Sequence, residues 1–307
     1  MNSDRTLPAR LSGAALDIGG TKIAAVRFEN GEVAERLTEP TNRAMSGTDL
    51  VRSCEQLLLR LDAEPEGPLG VAATGRVTNS GLWSAVNTGT LPNIENLPLA
   101  EMLSGALARP VHVLNDAAAA AWAEARWGAA AEAASMVYVT ISTGVGGGFV
   151  FGGTLLRSEN GLAGHVGFMS ARESDQICGC GRFGTVESVA SGLAIAERAK
   201  ALGHPVTTKE VFEQWRAGTP WAEELVHDSA RTIADLGASL RAGLGLDCMV
   251  LGGSVGLSGG YHDLVASYLA SEPSMFRIKT AIAAFRHDSP LIGALLFAEE
   301  RPKGECT

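Results

Sequence analysis

AALDIGGTKIAAVRF, at residues 14–28, is the stretch that decides the fold. Apolar residues on both sides of Gly19 and Gly20 are typical of two strands, which the glycines join in a tight turn. The same organisation recurs further along the chain, where a strand at 136–141 leads into the glycine-rich segment 142–148 and a strand is expected to resume after it. The recurrence predicts an α/β protein with two related halves.

The halves are expected to meet at Asn115 and Asp116, where a short strand passes into an alanine-rich helix. A chain of 307 residues also favours two domains over one core. The predicted division is an N-terminal α/β domain at 13–115, a C-terminal α/β domain with a His/Cys loop at 116–288, and a last helix at 289–300 that packs back on the first domain.

Other segments have the patterns of single elements. Helices are expected at 50–61, 117–127, 188–201 and 222–244, and strands at 69–73, 110–114 and 248–251. Ser289 is expected to cap the last helix, with Pro290 at its first position.

The composition limits the classes of partner. The net charge is −9 without any dense Lys/Arg cluster, so no nucleic-acid partner is expected. Residues 1–12 lack the apolar core of a signal peptide, and no run of about 18 apolar residues occurs, so no membrane partner is expected. Five cysteines, an odd number, disfavour a disulfide framework and favour the reducing cytoplasm.

Three glycine-rich motifs follow strands. In the first, backbone N–H groups can face an anion, Thr21 and Lys22 add donors, and Asp17 can hold Mg²⁺ through water; a plain hairpin turn is an equally good interpretation. In the second, four glycines within 142–148 exceed what a hairpin needs and favour close approach to a ligand. The third, at 251–256, suits a base or ribose, although glycines at strand ends are common.

Asp116 follows a strand and opens a helix. A carboxylate in that place is either an N-cap or a general base, and the sequence leaves both interpretations open. Asn115 offers amide donors and an acceptor that suit sugar hydroxyls.

A histidine and two cysteines form an incomplete metal-site pattern. His165 and the C-x-C pair Cys178 and Cys180 supply three ligands, whereas a structural zinc site takes four. Two buried thiols and a histidine that faces a sugar are the alternative interpretation.

Together these motifs occur in the order of the ROK family (repressors, open reading frames and kinases), which the chain resembles over nearly its whole length. The resemblance implies an actin-like ATPase fold of the hexokinase and ribonuclease H type, in which two α/β domains enclose a cleft. Several stretches are similar to those of bacterial kinases of N-acetylmannosamine: STGVGGG, GLAGHVG, CGCG followed by VE, ASG, GGSVGL and FRHDSPLIGALL.

The resemblance also implies roles for residues. ATP and Mg²⁺ would be the cofactors, Asp17 would hold Mg²⁺ through water, and Asp116 would be the base that activates O6 of N-acetylmannosamine, giving the 6-phosphate in sialic acid catabolism. The ATP-binding residues would be Asp17, Gly19, Gly20, Thr21, Lys22, Thr143, Gly144, Val145, Gly146, Gly252, Gly253 and Gly256. The sugar-binding residues would be Asn115, His165 and Glu187, with Gly75 and Asn87 as weaker candidates.

Two positions depart from the family pattern. Leu162 stands where many members carry a sugar-binding Glu, and this change favours N-acetylmannosamine over glucose, fructose or another hexosamine. Thr185 stands where the family places a third zinc-binding cysteine, so structural Zn²⁺ is expected to be weak or absent.

The resemblance leaves a sugar-responsive repressor as the alternative of another class, and it implies a homodimer. The 16 residues before Asp17 are expected to be too few for the helix-turn-helix domain of such repressors. A sugar-binding protein without catalysis is disfavoured by the presence of both Asp17 and Asp116.

Overall fold

A computed structural model describes residues 7–8, 11–61, 67–86, 91–172, 174 and 176–301. The strands within these ranges are β1 (Gly13–Ile18), β2 (Lys22–Glu29), β3 (Glu32–Pro40), β4 (Leu69–Ala73), β5 (Arg76–Val77), β6 (Leu82–Ser84), β7 (Leu97–Pro98), β8 (His112–Asn115), β9 (Ser135–Ile141), β10 (Val145–Phe151), β11 (Thr154–Leu155), β12 (Cys248–Gly252) and β13 (Lys279–Ile282). The α-helices are α1 (Gly47–Arg60), α2 (Leu99–Leu107), α3 (Asp116–Arg126), α4 (Glu187–Ala190), α5 (Gly192–Ala201), α6 (Thr208–Arg216), α7 (Pro220–Leu244), α8 (Gly253–Gly256), α9 (Tyr261–Ser271) and α10 (Ser289–Glu299).

Two five-stranded sheets repeat one topology. Their strand orders are β3-β2-β1-β4-β8 and β11-β10-β9-β12-β13. In each sheet the central strand pairs antiparallel with the strand that follows it and parallel with a later one, which pairs parallel with the edge strand. The prediction of two related halves is therefore confirmed.

The sheets and helices lie in five layers: α1 and α2, the first sheet, α3 and α10, the second sheet, and the helices on its outer face. Each sheet packs against helices on both sides, because alternate residues of each strand point to opposite faces. Along β1, Ala14 and Leu16 belong to the core under α1 and α2, whereas Ala15 belongs to a middle core around α3 and α10. The outer face of the second sheet is covered by α5, α6, α7 and α9.

The last helix, α10, is central rather than peripheral. Residues 291–298 are all buried, so the helix is apolar all round, as expected for a helix enclosed by other elements. It packs against β4 and β1 of the first sheet and closely against α3. The contacts with the first sheet support the predicted domain division, which stays a prediction because α3 contacts both halves.

Two predicted elements differ clearly from the observed ones. Strand β10 begins at Val145, inside the glycine-rich segment, because Gly146, Gly147 and Gly148 pair with β9. The helix expected at 188–201 is interrupted at Ser191, which is extended and whose hydroxyl accepts the N–H of Ala194, capping α5.

Ser289 does not cap α10. It is the first helical residue, Asp288 takes the cap position, and Pro290 lies in the first turn. The fully buried Ser289 hydroxyl donates instead to a carboxylate oxygen of Glu124 at 2.8 Å, because a buried hydroxyl needs a partner.

Within the described ranges, none of the helices combines the length and the apolar character that a membrane span needs.

Candidate active site

Asp116 begins α3 at the carboxyl edge of the first sheet, and its neighbour Asn115 takes the cap role. The Asn115 Oδ1 atom accepts the N–H of Ala118 at 3.0 Å. The Asp116 Oδ1 atom accepts the N–H of Ala117 at 2.8 Å and an amide hydrogen of Asn115 at 2.9 Å. The interpretation of Asp116 as the N-cap is therefore wrong, because Asn115 takes that position.

A second carboxylate, Asp17, lies at the end of β1 at the same edge. The carboxyl ends of β1, β4 and β8 meet there, since Ile18 pairs with Ala73 and Ala73 with Asn115. Burial raises the pKa of Asp17 to about 7, and the charge of Asp116 contributes to this rise, against the effects of Lys22 and Arg36. The carboxylates therefore interact electrostatically, and a cation beside them would relieve their repulsion.

The Asp116 carboxyl has a pKa suited to base catalysis. Burial raises this pKa to about 6, against hydrogen bonds with Ala117, Thr74 and Asn115 that stabilise the ionised form. A base is most effective when its pKa lies near the working pH while it remains largely ionised. At neutral pH, Asp116 meets both conditions.

Three of the predicted sugar-binding residues meet at one backbone carbonyl. Gly75, with φ +97°, has a carbonyl that accepts an amide hydrogen of Asn115 at 2.8 Å and also hydrogen-bonds to the His165 ring. The structure thus brings together Gly75 and Asn115 from the first half with His165 from the second. The remaining candidate in this group, Asn87, lies outside the described residues.

The surroundings of the His165 ring favour its neutral form. Its Nδ1 atom lies 3.2 Å from the carbonyl oxygen of Leu162, and the ring stacks on Phe168 with centroids 5.6 Å apart. Burial lowers the pKa of His165, although hydrogen bonds to backbone carbonyls oppose this. A neutral ring has one donor and one acceptor nitrogen, which suits hydroxyl groups.

Glu187 links the predicted sugar site to the second glycine motif. It begins α4, and its Oε2 atom accepts the N–H of Val145 at 2.9 Å. A Cβ atom at Gly144 would lie 2.5 Å from that oxygen, so a larger residue here would displace the Glu187 carboxylate from this position. Burial raises the pKa of Glu187.

The other glycines of the second motif have a different reason. A Cβ atom at Gly148 would lie 2.7 Å from the Cα atom of Ala118, and one at Gly147 would lie 2.8 Å from the Tyr138 carbonyl oxygen. These glycines let β10 approach α3 and its neighbouring strand. Gly147 and Gly148 therefore have a packing reason, and the expected approach of this motif to a ligand stays a prediction.

The first glycine turn is held by two residues that the sequence did not reveal. The Thr41 hydroxyl donates to the Gly19 carbonyl at 2.7 Å, and Arg43 Nε donates to the Gly20 carbonyl at 3.1 Å. Both follow β3, and no local pattern marks them. Arg43 adds a cation at the turn, next to the exposed Lys22.

The second and third glycine motifs lie side by side. Because β9 and β12 are parallel neighbours, their carboxyl ends meet, and Ser142 Oγ lies 3.2 Å from Ser254 Oγ. Gly253, with φ +79°, turns the chain into α8 against the carbonyl of Ile141. The predicted ATP-binding residues of the second half thus form one edge.

The residues that the structure describes around Cys178 do not fit a structural zinc ion. Among the described residues, no group of three His, Cys, Asp or Glu side chains could hold a metal ion. Cys178 and Cys180 are free and have their Sγ atoms 2.8 Å apart. Thr185 is completely buried and uses its hydroxyl in hydrogen bonds.

Two α/β halves of equal topology, with paired carboxylates and glycine turns at their carboxyl edges, define the actin-like ATPase fold. The ROK family model matches residues 13–301, and the chain belongs to the ROK family.

Individual relatives agree with this assignment. The chain is 40% identical over 286 residues to an N-acetylmannosamine kinase of Escherichia fergusonii, in a match that covers 93% of this chain and 97% of that protein. Among solved structures, it is similar to a ROK hexokinase from Thermus thermophilus, at 32% identity and a TM-score of 0.79 over 94% of this chain and 98% of the other. It is also similar to a ROK glucokinase from Streptomyces griseus solved with glucose and AMPPNP, at 25% identity and a TM-score of 0.81 over 94% and 100%.

Proposed function

We propose that this protein is an ATP-dependent kinase that phosphorylates N-acetylmannosamine at O6. The observation that carries the proposal is the environment of Asp116, a half-buried carboxylate with a pKa of about 6 at an edge shared with Asp17. The 40% identity to an N-acetylmannosamine kinase supports the choice of sugar.

The proposed chemistry depends on positioning and charge, as in phosphoryl transfer generally. Asp116 accepts the proton of the attacking hydroxyl, and Asn115 orients that carboxylate while it caps α3. The neutral His165 ring and Glu187 bind other sugar hydroxyls.

The first two glycine motifs bind the ATP phosphates, and the third flanks the adenosine. Asp17 would hold Mg²⁺, and the electrostatic interaction of Asp17 with Asp116 is the feature that suits a divalent cation. Mg²⁺ supplies neutralisation of the phosphate charge. Lys22 and Arg43 offer further positive charge near the first turn.

Leu162 is the residue proposed to select the sugar. Leu162 is 45% exposed, which is high for a leucine. It lies close to the predicted sugar site, because its carbonyl oxygen contacts the His165 ring. An exposed apolar side chain at this position gives an N-acetyl methyl group a contact that a glutamate would not.

The proposed protein is a homodimer in the cytoplasm, without nucleic-acid or membrane partners.

Glucose is the second candidate substrate, since the two solved structures are named a hexokinase and a glucokinase. A coupled ADP-release assay with ATP and Mg²⁺ tests both, using N-acetylmannosamine, N-acetylglucosamine, glucose and fructose. We expect the highest kcat/KM with N-acetylmannosamine. Leu162→Glu should lower the ratio of the kcat/KM for N-acetylmannosamine to the kcat/KM for glucose. Turnover of glucose alone would contradict the proposed sugar, and no turnover with any sugar would contradict the kinase.

A further inference from the structure

Thr185 is the centre of a hydrogen-bonded cluster that we call the Thr185 cluster, formed by Ser174, Cys178, Cys180, Thr185 and Ser188. Thr185 is completely buried, and its segment pairs with Ser170. Its hydroxyl accepts the N–H of Ser188 at 3.2 Å, its N–H donates to Ser188 Oγ at 3.1 Å, and its carbonyl accepts from that hydroxyl at 2.7 Å. Ser188 Oγ also lies 2.6 Å from Ser174 Oγ. Three hydrogen bonds therefore join Thr185 and Ser188 directly, and Ser174 extends the cluster.

The cluster continues to the carboxylate of Glu187. The Thr185 side chain hydrogen-bonds to Cys178, whose Sγ atom lies 3.8 Å from Glu187 Oε1. The other oxygen of Glu187 accepts the N–H of Val145. A continuous path of contacts thus runs from Thr185 through Cys178 and Glu187 to the start of β10.

The position of Glu187 depends on what holds the chain before α4. Only two cysteines are present near Thr185 in the sequence, and a hydroxyl in place of a thiolate leaves too few ligands for a closed zinc site among the described residues. The hydroxyl is nevertheless buried and hydrogen-bonded on both sides, as expected where it has a structural role.

We propose that Thr185 takes the place of a structural metal: its hydrogen bonds hold the segment before α4 and position Glu187 against Val145 and the sugar without zinc. The effect on sugar binding rests on the proposed function, whereas the metal-free ordering of the segment does not. Thr185 is a positioning residue, since it acts through Cys178 and Glu187.

Matched variants test this inference. Thr185→Val keeps the shape of the side chain but removes the hydroxyl, Thr185→Ser keeps the hydroxyl, and Thr280→Val makes the same change in β13. We expect Thr185→Val to raise the KM for the sugar about five- to thirty-fold, the effect of one or two buried hydrogen bonds, with a smaller change in kcat. Thr185→Ser should restore the KM to within about two-fold, and Thr280→Val should leave it unchanged. A wild-type KM in Thr185→Val would overturn the positioning role.

Two measurements do not depend on which sugar is the substrate. Amide hydrogen exchange in peptides covering 176–190 should be faster in Thr185→Val than in the wild type and in Thr280→Val, because the segment loses its hydrogen bonds. Elemental analysis of the wild type should find far less than one zinc per chain, and a chelator should leave the exchange rates unchanged. About one zinc per chain that a chelator removes with faster exchange would overturn the inference. Faster exchange in Thr185→Val without any sugar turnover would contradict the proposed function and leave the metal-free ordering standing.

Discussion

Asp116 shows at the scale of a single residue how a neighbour sets the role of a side chain. The cap of α3 is Asn115, whose Oδ1 atom binds the N–H of Ala118. The amide group of Asn115 also reaches Asp116 and the Gly75 carbonyl. Asp116 is therefore held by hydrogen bonds without serving as the cap, which supports its proposed role as the base.

The first prediction replaces the proposed base with a neutral side chain of the same shape. Asp116→Asn should lower kcat by about 10²- to 10⁴-fold, since the amide cannot accept the proton of the sugar hydroxyl. Binding of N-acetylmannosamine, measured by calorimetry, should change little because Asn115 and His165 remain. Near-normal turnover in the variant would rule out Asp116 as the base.

The second prediction concerns pH. Burial raises the pKa of Asp116 to about 6 and that of Asp17 to about 7, so both carboxyls take up protons as the pH falls from neutral. We expect kcat/KM to fall as the pH drops through about 7 to 6, with apparent values that belong to the pair. A profile that stays flat down to pH 5 would contradict this.

The same shifts affect stability in the opposite direction. A carboxyl whose pKa is raised by folding favours the folded state below its unfolded pKa, and that contribution is lost as the pH rises through the folded value. Asp116→Asn should therefore have a higher Tm than the wild type at pH 8. The difference should shrink as the pH is lowered through about 6, which a thermal denaturation series would measure.

At the scale of secondary-structure elements, the packing of β10 against α3 explains part of the second glycine motif. The helix has alanine at positions 117–121, and β10 has glycine at the facing positions, so the two backbones approach closely. The second glycine motif therefore combines two functions. Gly144 leaves room for the carboxylate of Glu187, whereas Gly147 and Gly148 leave room for neighbouring backbone.

The third prediction follows from this contact. Gly148→Ala should lower the free energy of unfolding by about 1–3 kcal/mol, because the new Cβ would lie 2.7 Å from the Cα atom of Ala118. Gly105→Ala in α2 is the control, since a Cβ atom there would have open space within 4 Å, and it should stabilise by about 0.5–1 kcal/mol. Urea unfolding measures both, and equal effects of the two changes would contradict the packing argument.

Glu124 ties distant parts of the whole molecule together. This completely buried carboxylate in α3 accepts hydrogen bonds from the N–H groups of Ala129, Ala284 and Phe285 and from the Ser289 hydroxyl. It therefore joins α3 to the chain that enters α10. The sequence suggested no role for it, because most of its partners lie about 160 residues away.

The fourth prediction tests this connection. Glu124→Gln should lower the free energy of unfolding by at least about 2 kcal/mol, because an amide nitrogen would face N–H donors that now bind a carboxylate. Glu300→Gln is the control. It removes the partly exposed ion pair between Glu300 and Arg126, which lies in α3 like Glu124, and it should cost less than about 1 kcal/mol. A cost for Glu124→Gln no greater than that of the control would refute the role of Glu124.

The sequence by itself determined the two related halves, the order of the glycine motifs, most strand and helix positions and the loss of a cysteine at Thr185. These features depend on residue type, hydrophobic period and spacing, which act over a few neighbouring residues. Only the tertiary structure decided that Asn115 is the cap, that Ser289 binds Glu124, and that Gly148 faces a helix. It alone showed Thr41 and Arg43 on the first turn and Glu187 on Val145. The physical reason is that a buried polar group or a glycine is explained by the atoms that fill the space beside it, and those atoms come from segments that only folding brings close.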